Sequence, residues 1–476
     1  MLKILLAGSP ASIMGFDRLI RLPNIGLASM AAQLDRSVCQ VKIADLIAAG
    51  SKRKSLLYFQ NILKKYNPDI IGFSCMVFQY ADALQLARLS KKYNPRIKVV
   101  MGGYFPTVNY ENIMESDDSQ HIDYIIRKEG ETAFNILAET LHSRGDLSTV
   151  PNLSFKDGGN VIHTPANPPV NLDSLKMPDR NARLLKKGFF LGPVPGDAVE
   201  TSRGCVYDCN FCSIREMYGK SFRKYKIDRV IADIKDAREH GAKGILILDD
   251  NITLDGKRFI EICKAVKDAG LNDMDFAIQA GIRGIKKTPG LVKAMAEAGM
   301  KWIFLGIENV SDQNLQAMDK DSQFSREDVR EVVSELQAHG IIVLGGLILG
   351  YPEDDEETLW SNFEYALELK LDIPLFFTLT PYPKTKIRTE LLNQGLVTNP
   401  DDFSRYDGFQ ANIRTNHLTA ERLYQLREEM GWKYPLKSAS LFRLISKLPN
   451  TYLTKLFIKE IFKHPGDVFS YFKGAV

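Results

Sequence analysis

Short apolar runs alternate with stretches of helical spacing along the first 141 residues. Residues 80–92, for example, repeat apolar side chains at intervals of three and four, which is typical of an amphipathic helix. Strands that alternate with helices at this pitch predict a parallel, doubly wound α/β sheet. We expect its strands at residues 3–7, 40–44, 69–74, 97–101 and 123–126.

The ends of these strands carry glycines and small polar residues. They read Gly8-Ser9-Pro10, Ser74-Cys75, Gly102-Gly103-Tyr104 and Glu129-Gly130-Glu131. Ligands of doubly wound sheets bind beyond the carboxyl ends of the strands, and glycine lets a ligand approach the backbone closely. Glycine also serves tight turns, so the pattern by itself leaves both interpretations open.

A proline-rich stretch then separates two regions of the chain. Between residues 150 and 195 there are seven prolines and the pair Gly158-Gly159, without a sustained helical period. We expect a linker over residues 149–195 with a small hairpin, following a first domain over residues 1–148.

Alternation resumes after residue 198 at a longer pitch. We expect six strands, at residues 198–202, 244–248, 275–280, 302–306, 341–349 and 375–380, with helices such as 227–240, 256–269 and 291–298 between them. Six such units suit either a second flat sheet or a partial (β/α) barrel, and periodicity does not decide between them.

The last part of the chain, residues 396–476, is predicted to be helical and becomes basic. Residues 437–476 contain seven Lys or Arg and two acidic residues, interleaved with seven Phe or Tyr. A basic amphipathic segment with aromatics is typical of contact with an anionic membrane surface. A helical lid that packs its apolar face on the barrel with lysines outward fits the same pattern.

Composition narrows the class of protein. The 476 residues are 45% hydrophobic and 25% charged, which describes a globular protein of two or three domains. A net charge of +4 is small for this length and argues against strong nucleic-acid binding. No apolar run approaches the length of a membrane span, so we expect a cytoplasmic protein with reduced cysteines.

Three of the six cysteines lie within eight residues, as Cys205, Cys209 and Cys212 in a CxxxCxxC pattern. Three thiolates on one short loop suit three irons of a four-iron cluster, whose fourth iron stays open to another ligand. A zinc site needs a fourth ligand at regular spacing, and a disulfide needs pairs in an oxidising compartment. A sensor or electron carrier would hold a fully ligated cluster, which the count of three disfavours.

This motif, with Phe211 before the last cysteine, resembles the signature of the radical SAM superfamily. The resemblance implies a [4Fe-4S] cluster on the three cysteines, bound S-adenosylmethionine and a partial (β/α)6 barrel over residues 196–395. It also implies roles for polar residues at the strand ends. Asp249, Asp250 and Asn251 would accept from the amino group of S-adenosylmethionine, Gln279 and Arg283 would hold its carboxylate or ribose, and Glu308 would lie near the ribose and sulfonium.

The first domain resembles the cobalamin-binding domain that precedes one branch of this superfamily. The cobalamin-binding residues implied by its strand ends are Ser9, Ser74, Gly102, Gly103, Tyr104, Glu129 and Gly130. Two features depart from the family pattern. No Asp-x-His-x-x-Gly follows the first strand, and Tyr104 stands where many relatives have His.

The barrel also departs from its family pattern at one position. After the sixth barrel strand, Lys384 stands where the family commonly has Gly, and its side chain would face either the substrate or solvent.

The family resemblance implies a cobalamin-dependent radical SAM enzyme. A 5′-deoxyadenosyl radical would remove hydrogen from an unactivated carbon, and methylcobalamin would then donate a methyl group. We expect a hydrophobic small molecule or lipid as the substrate, an electron donor such as flavodoxin or ferredoxin, peripheral membrane contact through residues 437–476, and no nucleic-acid partner. A tetrapyrrole cyclase or a lipid-modifying oxidoreductase that transfers no methyl group resembles the same architecture. A methylthiotransferase would need a further cysteine trio in the first domain, where only Cys39 and Cys75 occur.

Overall fold

The computed structural model describes residues 1–10, 19–319, 324–438 and 440–447. The strands of these residues, in chain order, are β1 (Leu2–Gly8), β2 (Ile20–Arg21), β3 (Cys39–Asp45), β4 (Ile70–Ser74), β5 (Lys98–Gly102), β6 (Tyr124–Ile126), β7 (Leu153–Asp157), β8 (Asn160–His163), β9 (Phe190–Leu191), β10 (Val194–Val199), β11 (Ser202–Arg203), β12 (Arg223–Lys224), β13 (Gly244–Ile247), β14 (Asp275–Gly281), β15 (Met300–Glu308), β16 (Ile342–Leu349) and β17 (Ile373–Thr378).

Helices lie between most of these strands. They are α1 (Ile25–Gln33), α2 (Lys52–Tyr66), α3 (Tyr80–Tyr93), α4 (Tyr104–Val108), α5 (Tyr110–Glu115), α6 (Glu131–Ser143), α7 (Ile214–Tyr218), α8 (Ile227–Glu239), α9 (Gly256–Asp268), α10 (Ile282–Lys286), α11 (Leu291–Glu297), α12 (Asp312–Ala317), α13 (Arg326–Ala338), α14 (Glu356–Glu368), α15 (Lys386–Asn393), α16 (Ala420–Lys437) and α17 (Ser440–Lys447).

The first sheet has the order β3-β1-β4-β5-β6-β7-β8, and its first five strands run parallel. Successive side chains of a strand point to opposite faces. Accordingly, Leu5 and Ala7 of β1 pack with α2 and α3 on one face, whereas Ile4 and Leu6 pack with α1 and α6 on the other. This arrangement is the predicted doubly wound sheet.

The predicted linker over residues 149–195 contains more regular structure than a linker. Its small hairpin is β7 and β8, and this hairpin extends the first sheet, because β7 pairs with β6 in antiparallel fashion. Further along, β9 and the start of β10 already belong to the second sheet. The proline-rich composition therefore marks irregular chain only between β8 and β9, interrupted by short 3₁₀ turns.

The second sheet has the order β17-β16-β15-β14-β13-β10-β9-β2. Six of its strands, β10 and β13 to β17, run parallel, and the outer helices pack against them around a large apolar core. The edge strand β2 comes from the first 21 residues of the chain. The fold is thus the predicted partial (β/α)6 barrel, with one edge supplied by the N-terminal region.

The end of the described chain packs at the amino ends of the barrel strands. Leu444 of α17 is buried in a cluster with Trp302 and Ile342, and Arg443 and Lys447 reach the buried carboxylate of Asp372. The predicted apolar contact with the barrel is therefore present at the end opposite the cysteine loop. Lys447 lies 3.6 Å from Asp372, whereas the lid interpretation had the lysines pointing outward.

Membrane contact was predicted for residues 437–476, and residues 448–476 lie outside the part of the chain that the structure describes. Within the described residues, every helix is too short or too polar to cross a membrane.

Candidate functional site

Two cavities open at the carboxyl ends of the parallel strands, one in each domain. The barrel cavity has a volume of about 380 Å³ and is lined by the cysteine loop and the ends of the barrel strands. The N-terminal cavity has a volume of about 120 Å³ and lies at the ends of β1, β4, β5 and β6. Residues of the barrel domain form part of its wall, so the two cavities lie on either side of the domain boundary.

Cys205, Cys209 and Cys212 all line the barrel cavity, and they are half-buried and form no disulfide. Gly204 fixes the start of this loop. Its φ is +88°, and a Cβ there would lie 2.4 Å from the carbonyl oxygen of Ser221, so only glycine fits. Burial raises the pKa of the Cys212 thiol to about 12, and binding to a metal is what would deprotonate it near neutral pH.

In the described part of the chain, no three His, Cys, Asp or Glu side chains converge as ligands of a single metal ion. A four-iron cluster does not need such convergence, because each thiolate binds a different iron. Three thiols spread along one wall of a cavity fit that donor set.

Asp249 lies beneath the cavity, outside its lining. It is fully buried, and its carboxylate accepts hydrogen bonds from the backbone N–H of Thr201 (2.6 Å) and from the hydroxyls of Thr201 and Ser202. Burial raises the pKa of Asp249, and these donors oppose that rise. Asp249 therefore fixes the strand before the cysteine loop, and its role in binding the cofactor amino group stays a prediction.

Asp250 and Asn251 do line the cavity, as predicted from their place after β13. Asp250 accepts a hydrogen bond from the backbone N–H of Gly204 at 2.9 Å. Burial raises its pKa to about 6. Asn251 caps the turn that follows, accepting from the backbone N–H and the hydroxyl of Thr253.

Gln279, Arg283 and Glu308 complete the polar wall, and all three line the same cavity. Glu308 has a φ of +69°, in the left-handed region that costs a non-glycine residue energy. The pairing of β15 with β16 shifts register between Gly306 and Glu308. Such an irregularity changes the direction of a side chain at the end of a strand, and it accompanies the placement of Glu308 in the cavity.

The cavity also has an apolar part of its lining that was not predicted. It contains Phe304, Ile348, Phe377, Leu379 and Tyr382. Phe304 shares its strand face with Gly306 and Glu308, so the alternation of β15 would have identified it once the strand bounds were known.

Lys384 does not line the barrel cavity, and its partly exposed side chain contacts other residues. Its ammonium pairs with Glu111 of α5 at 3.1 Å and lies 4.9 Å from the ring centre of Tyr110. Lys384 has a φ of +63°, which agrees with the glycine common at this position in the family. It forms an exposed contact between the two domains.

Glycines form a distinct part of the lining of the N-terminal cavity. Five contribute to it, and they include the predicted Gly102, Gly103 and Gly130 as well as Gly26 and Gly72. Gly103 has a φ of +93°, and a Cβ there would lie 2.9 Å from the carbonyl oxygen of Cys75. At Gly103 a side chain would therefore collide, whereas a Cβ at Gly102 or Gly130 would meet its nearest atoms at 3.5 Å, and all three leave the backbone open to a ligand.

Ser74 and Glu129 also line this cavity, whereas Ser9 and Tyr104 are not among its lining residues. Ser9 is buried at the end of β1. The Tyr104 hydroxyl is buried, and it has no hydrogen-bond partner among the described residues. Burial raises its pKa well above the ordinary value, and Asp250 and Tyr218 are charged or ionisable groups near it.

The wall on the barrel side of the N-terminal cavity was missed by sequence reasoning. It consists of Glu200, Arg203, Met217 and Tyr218. Arg203 forms ion pairs with Glu129 at 2.9 Å and Glu131 at 2.7 Å, so it joins the two domains. A sequence pattern within one domain contains no signal for a contact between domains. An arginine next to the cysteine motif was the one hint that Arg203 has a role at this site.

Comparison with known proteins decides the family. Residues 13–138 match the model of the B12 binding domain, and residues 199–366 match the model of the radical SAM superfamily. The chain is a radical SAM enzyme with an N-terminal B12-binding domain. Its relatives are cobalamin-dependent radical SAM methyltransferases and cyclases, and its cofactors are cobalamin, a [4Fe-4S] cluster and S-adenosylmethionine.

Three relatives illustrate the range of this enzyme family. The chain is 29% identical to an uncharacterised methyltransferase of Pyrococcus horikoshii, over 94% of this chain and 91% of the relative. It is 28% identical to the hopanoid C-3 methylase of Methylococcus capsulatus, over 79% and 70%. It is 26% identical to the anaerobic magnesium-protoporphyrin IX monomethyl ester cyclase of Cereibacter sphaeroides, over 76% and 59%.

The fold matches solved structures of the same class. The radical S-adenosylmethionine methyltransferase TsrM of Kitasatospora setae, solved with cobalamin and a [4Fe-4S] cluster, superposes with a TM-score of 0.68. The sequences are 16% identical, and the match covers 95% of this chain and 92% of TsrM. At this identity the likeness concerns the fold.

Proposed function

We propose that this enzyme methylates an unactivated carbon of a hydrophobic small molecule or lipid. The observation that carries the proposal is the mixed lining of the barrel cavity. The three cysteines and the charged residues line it together with apolar side chains such as Phe304, Phe377 and Leu379. A mostly apolar lining with a few polar groups is typical of a site that binds a hydrophobic ligand and orients it with a few polar contacts.

The residues of the barrel cavity divide the work of binding. Cys205, Cys209 and Cys212 would hold the cluster. Asp250 and Asn251 would accept from the amino group of S-adenosylmethionine, because carboxylate and amide oxygens suit an ammonium donor. Arg283 would pair with its carboxylate through a planar guanidinium, Gln279 would bind the carboxylate or ribose, and Glu308 would accept from a ribose hydroxyl.

Cobalamin would bind across the N-terminal cavity. The cavity is smaller than a cobalamin molecule, so it would hold one part of the cofactor, and the remainder would face the barrel domain. The backbone at Gly102, Gly103 and Gly130 would lie against the ligand, with Ser74 as a short hydrogen-bonding side chain. Ser9, Tyr104 and Glu129 lie at the same strand ends and are proposed to contribute from the edge of the site.

When bound, these cofactors would supply a hydrogen-abstracting radical from S-adenosylmethionine and a methyl group from cobalamin. The protein's part is to position and to shield. The apolar wall around Phe304 and Phe377 excludes water from the reacting carbon, and Asp250 fixes one end of S-adenosylmethionine beside the cysteine loop. A reduced flavodoxin or ferredoxin would deliver the electron, and a cytoplasmic location agrees with six cysteines that form no disulfide.

The test uses methyl-labelled S-adenosylmethionine with the reconstituted enzyme and a reductant under anaerobic conditions. Lipid and small-molecule extracts are offered as substrates, and products are analysed by mass spectrometry. We expect label in an apolar product, together with 5′-deoxyadenosine and S-adenosylhomocysteine. Water-soluble labelled products alone would contradict the hydrophobic substrate.

A second candidate is a cyclase or oxidoreductase that transfers no methyl group, and the 26% identity to a magnesium-protoporphyrin cyclase favours it. The same experiment separates the two functions. A changed product that carries no label, formed with 5′-deoxyadenosine, would replace methylation by this second reaction.

A further inference from the structure

A buried group of charges joins the walls of the two cavities. We call it the Arg203 cluster, and it consists of Arg203, Arg223, Glu129, Glu131 and Glu200. The Arg203 guanidinium lies 2.9 Å from Glu129, 2.7 Å from Glu131 and 2.9 Å from Glu200. Arg223 approaches Glu129 at 3.0 Å. Glu129 and Glu131 belong to the first domain, and the other three residues belong to the barrel domain.

Because these side chains are buried, their ion pairs are strong, and replacing a single charged residue of the cluster is costly. The side chains of Arg203, Glu129 and Glu131 are only 5%, 6% and 5% exposed. Burial alone would raise the pKa of Glu131, yet the Arg203 guanidinium holds that pKa below its ordinary value. Deleting one partner of a buried pair leaves an uncompensated charge, so the cluster holds the two domains in one arrangement.

On the first-domain side, the cluster forms the wall of the N-terminal cavity. Glu129, Glu131, Glu200 and Arg203 all line it. Within the cluster three carboxylates face two guanidinium groups, and Lys128, which also lines this cavity, balances the remaining negative charge. A bound ligand that offers N–H donors, as the side-chain amides of cobalamin do, would pair with the oxygens of these carboxylates.

On the barrel side, the same arginine leads directly into the cysteine loop. The next residue, Gly204, donates its backbone N–H to Asp250, and Cys205 follows. Arg203 itself is held in β11, which pairs with β12. A shift of Arg203 would therefore move the hydrogen bond that orients Asp250 in the barrel cavity.

We propose that the Arg203 cluster couples the two cofactor sites, so that cobalamin in the N-terminal cavity strengthens the binding of S-adenosylmethionine in the barrel cavity. The path is short: the carboxylates of Glu129 and Glu131, the Arg203 guanidinium, the Gly204 N–H and the Asp250 carboxylate. Arg203 is a positioning residue in this scheme. The proposal rests on the proposed cofactor sites and adds that the two sites are energetically linked.

The test measures coupling, because an effect on either affinity alone would fit a purely structural role. The protein carries its oxidised cluster, and without reductant no turnover occurs. The Kd of hydroxocobalamin is measured by absorbance with and without saturating S-adenosylmethionine, and the Kd of S-adenosylmethionine is measured by equilibrium dialysis with and without hydroxocobalamin. Linkage requires the two ratios to be equal, which checks the data internally.

We expect both ratios to be about fivefold or more in the wild-type protein, the lower end of typical coupling between sites. In Glu131→Gln, which keeps the shape and leaves Arg203 paired with Glu129 and Glu200, both ratios should fall below about twofold. Arg203→Lys keeps the charge but loses the planar fork, and it should behave in the same way.

Lys384→Gln is the matched control, because it breaks an ion pair between the domains that lines neither cavity. Its ratios should equal those of the wild type. Wild-type ratios of one, or unchanged ratios in Glu131→Gln, would overturn the coupling while the cofactor sites stand. A wild-type protein that binds no hydroxocobalamin would overturn the coupling together with the proposed function.

Discussion

The two cavities occupy equivalent places in two parallel sheets, yet they are built from different parts of the chain. The barrel cavity presents side chains, namely thiols, carboxylates, an amide and a guanidinium. The N-terminal cavity presents backbone at five glycines, and its charged wall comes mostly from contacts between domains. In a site that binds through side chains, ligand binding depends on the chemical groups of those side chains. In a site that binds through backbone, it depends on residues small enough to let the ligand reach the backbone.

The largest effect in this comparison should come from the cysteines. Replacing Cys205, Cys209 or Cys212 by Ala removes one iron ligand from the barrel cavity, and we expect iron content and the cluster absorbance to fall by about tenfold or more, because three protein ligands have no substitute here. Cys263→Ala is the control, since Cys263 is buried in α9 away from the cavity and should leave iron unchanged. A fully loaded C209A protein would refute the ligand assignment.

The backbone site has its own decisive residue in Gly103. In Gly103→Ala the added Cβ meets the carbonyl of Cys75 at 2.9 Å, and the φ of +93° strains any L-residue. A cost of about 2 kcal/mol at this position corresponds to cobalamin binding about 30-fold weaker by absorbance titration. Gly50→Ala is matched in strain, with a φ of +88°, but its Cβ meets no atom within 4 Å. Equal losses in both variants would show that strain acts through folding alone.

How far the sequence predicts each cavity follows from the same contrast. The CxxxCxxC spacing and the polar strand ends predicted polar residues that line the barrel cavity, because their chemistry lies in the side chains. Of the predicted cysteines and S-adenosylmethionine-binding residues, Asp249 alone lies outside the lining. Strand parity could have found Phe304. The pairing of Glu129 and Glu131 with Arg203 joins residues 74 and 72 positions apart, and no local pattern encodes that contact.

Asp249 shows what the sequence could not predict, namely which polar residue after a strand faces the cavity. Asp249 turns toward Thr201 and Ser202, whereas Asp250 and Asn251 line the cavity. The sequence predicted a small hairpin within residues 149–195, but the proline-rich composition carried no signal that β7 pairs with β6.

A pH dependence would sharpen the role of the side-chain site. Burial raises the pKa of Asp250 from 3.8 to about 6, with Asp249 and Glu200 raising it further and Arg203 opposing them. Because the folded pKa is raised, the carboxylate is charged above about pH 6 and neutral below it. If it accepts the ammonium of S-adenosylmethionine, affinity is full near pH 7.5 and falls about tenfold by pH 5, where roughly one tenth remains ionised.

Equilibrium dialysis with the oxidised, cluster-loaded protein measures this dependence. Asp250→Asn should bind S-adenosylmethionine about tenfold more weakly at pH 7.5 and lose the dependence on pH between 5 and 7.5. Asp255→Asn is the control, because Asp255 caps α9 and pairs with Lys224 outside the cavity. If the pH profile survives in Asp250→Asn, another group carries it.

The smallest effect should come from Lys384, which joins the domains outside both cavities. The Lys384 side chain is 40% exposed, so its ion pair with Glu111 contributes at most about 1 kcal/mol to the free energy of unfolding. The contact with Tyr110 adds about as much. Lys384→Ala loses both contacts and keeps the strain of the left-handed φ. Lys384→Gly loses them too, but it relieves about 1–2 kcal/mol of strain.

We therefore expect the thermal midpoint of Lys384→Ala to lie about 2–4 °C below that of Lys384→Gly, with cobalamin affinity unchanged in both. Equal midpoints would mean that the backbone at this turn relaxes without glycine, and a loss of cobalamin affinity would extend the functional interface beyond the Arg203 cluster.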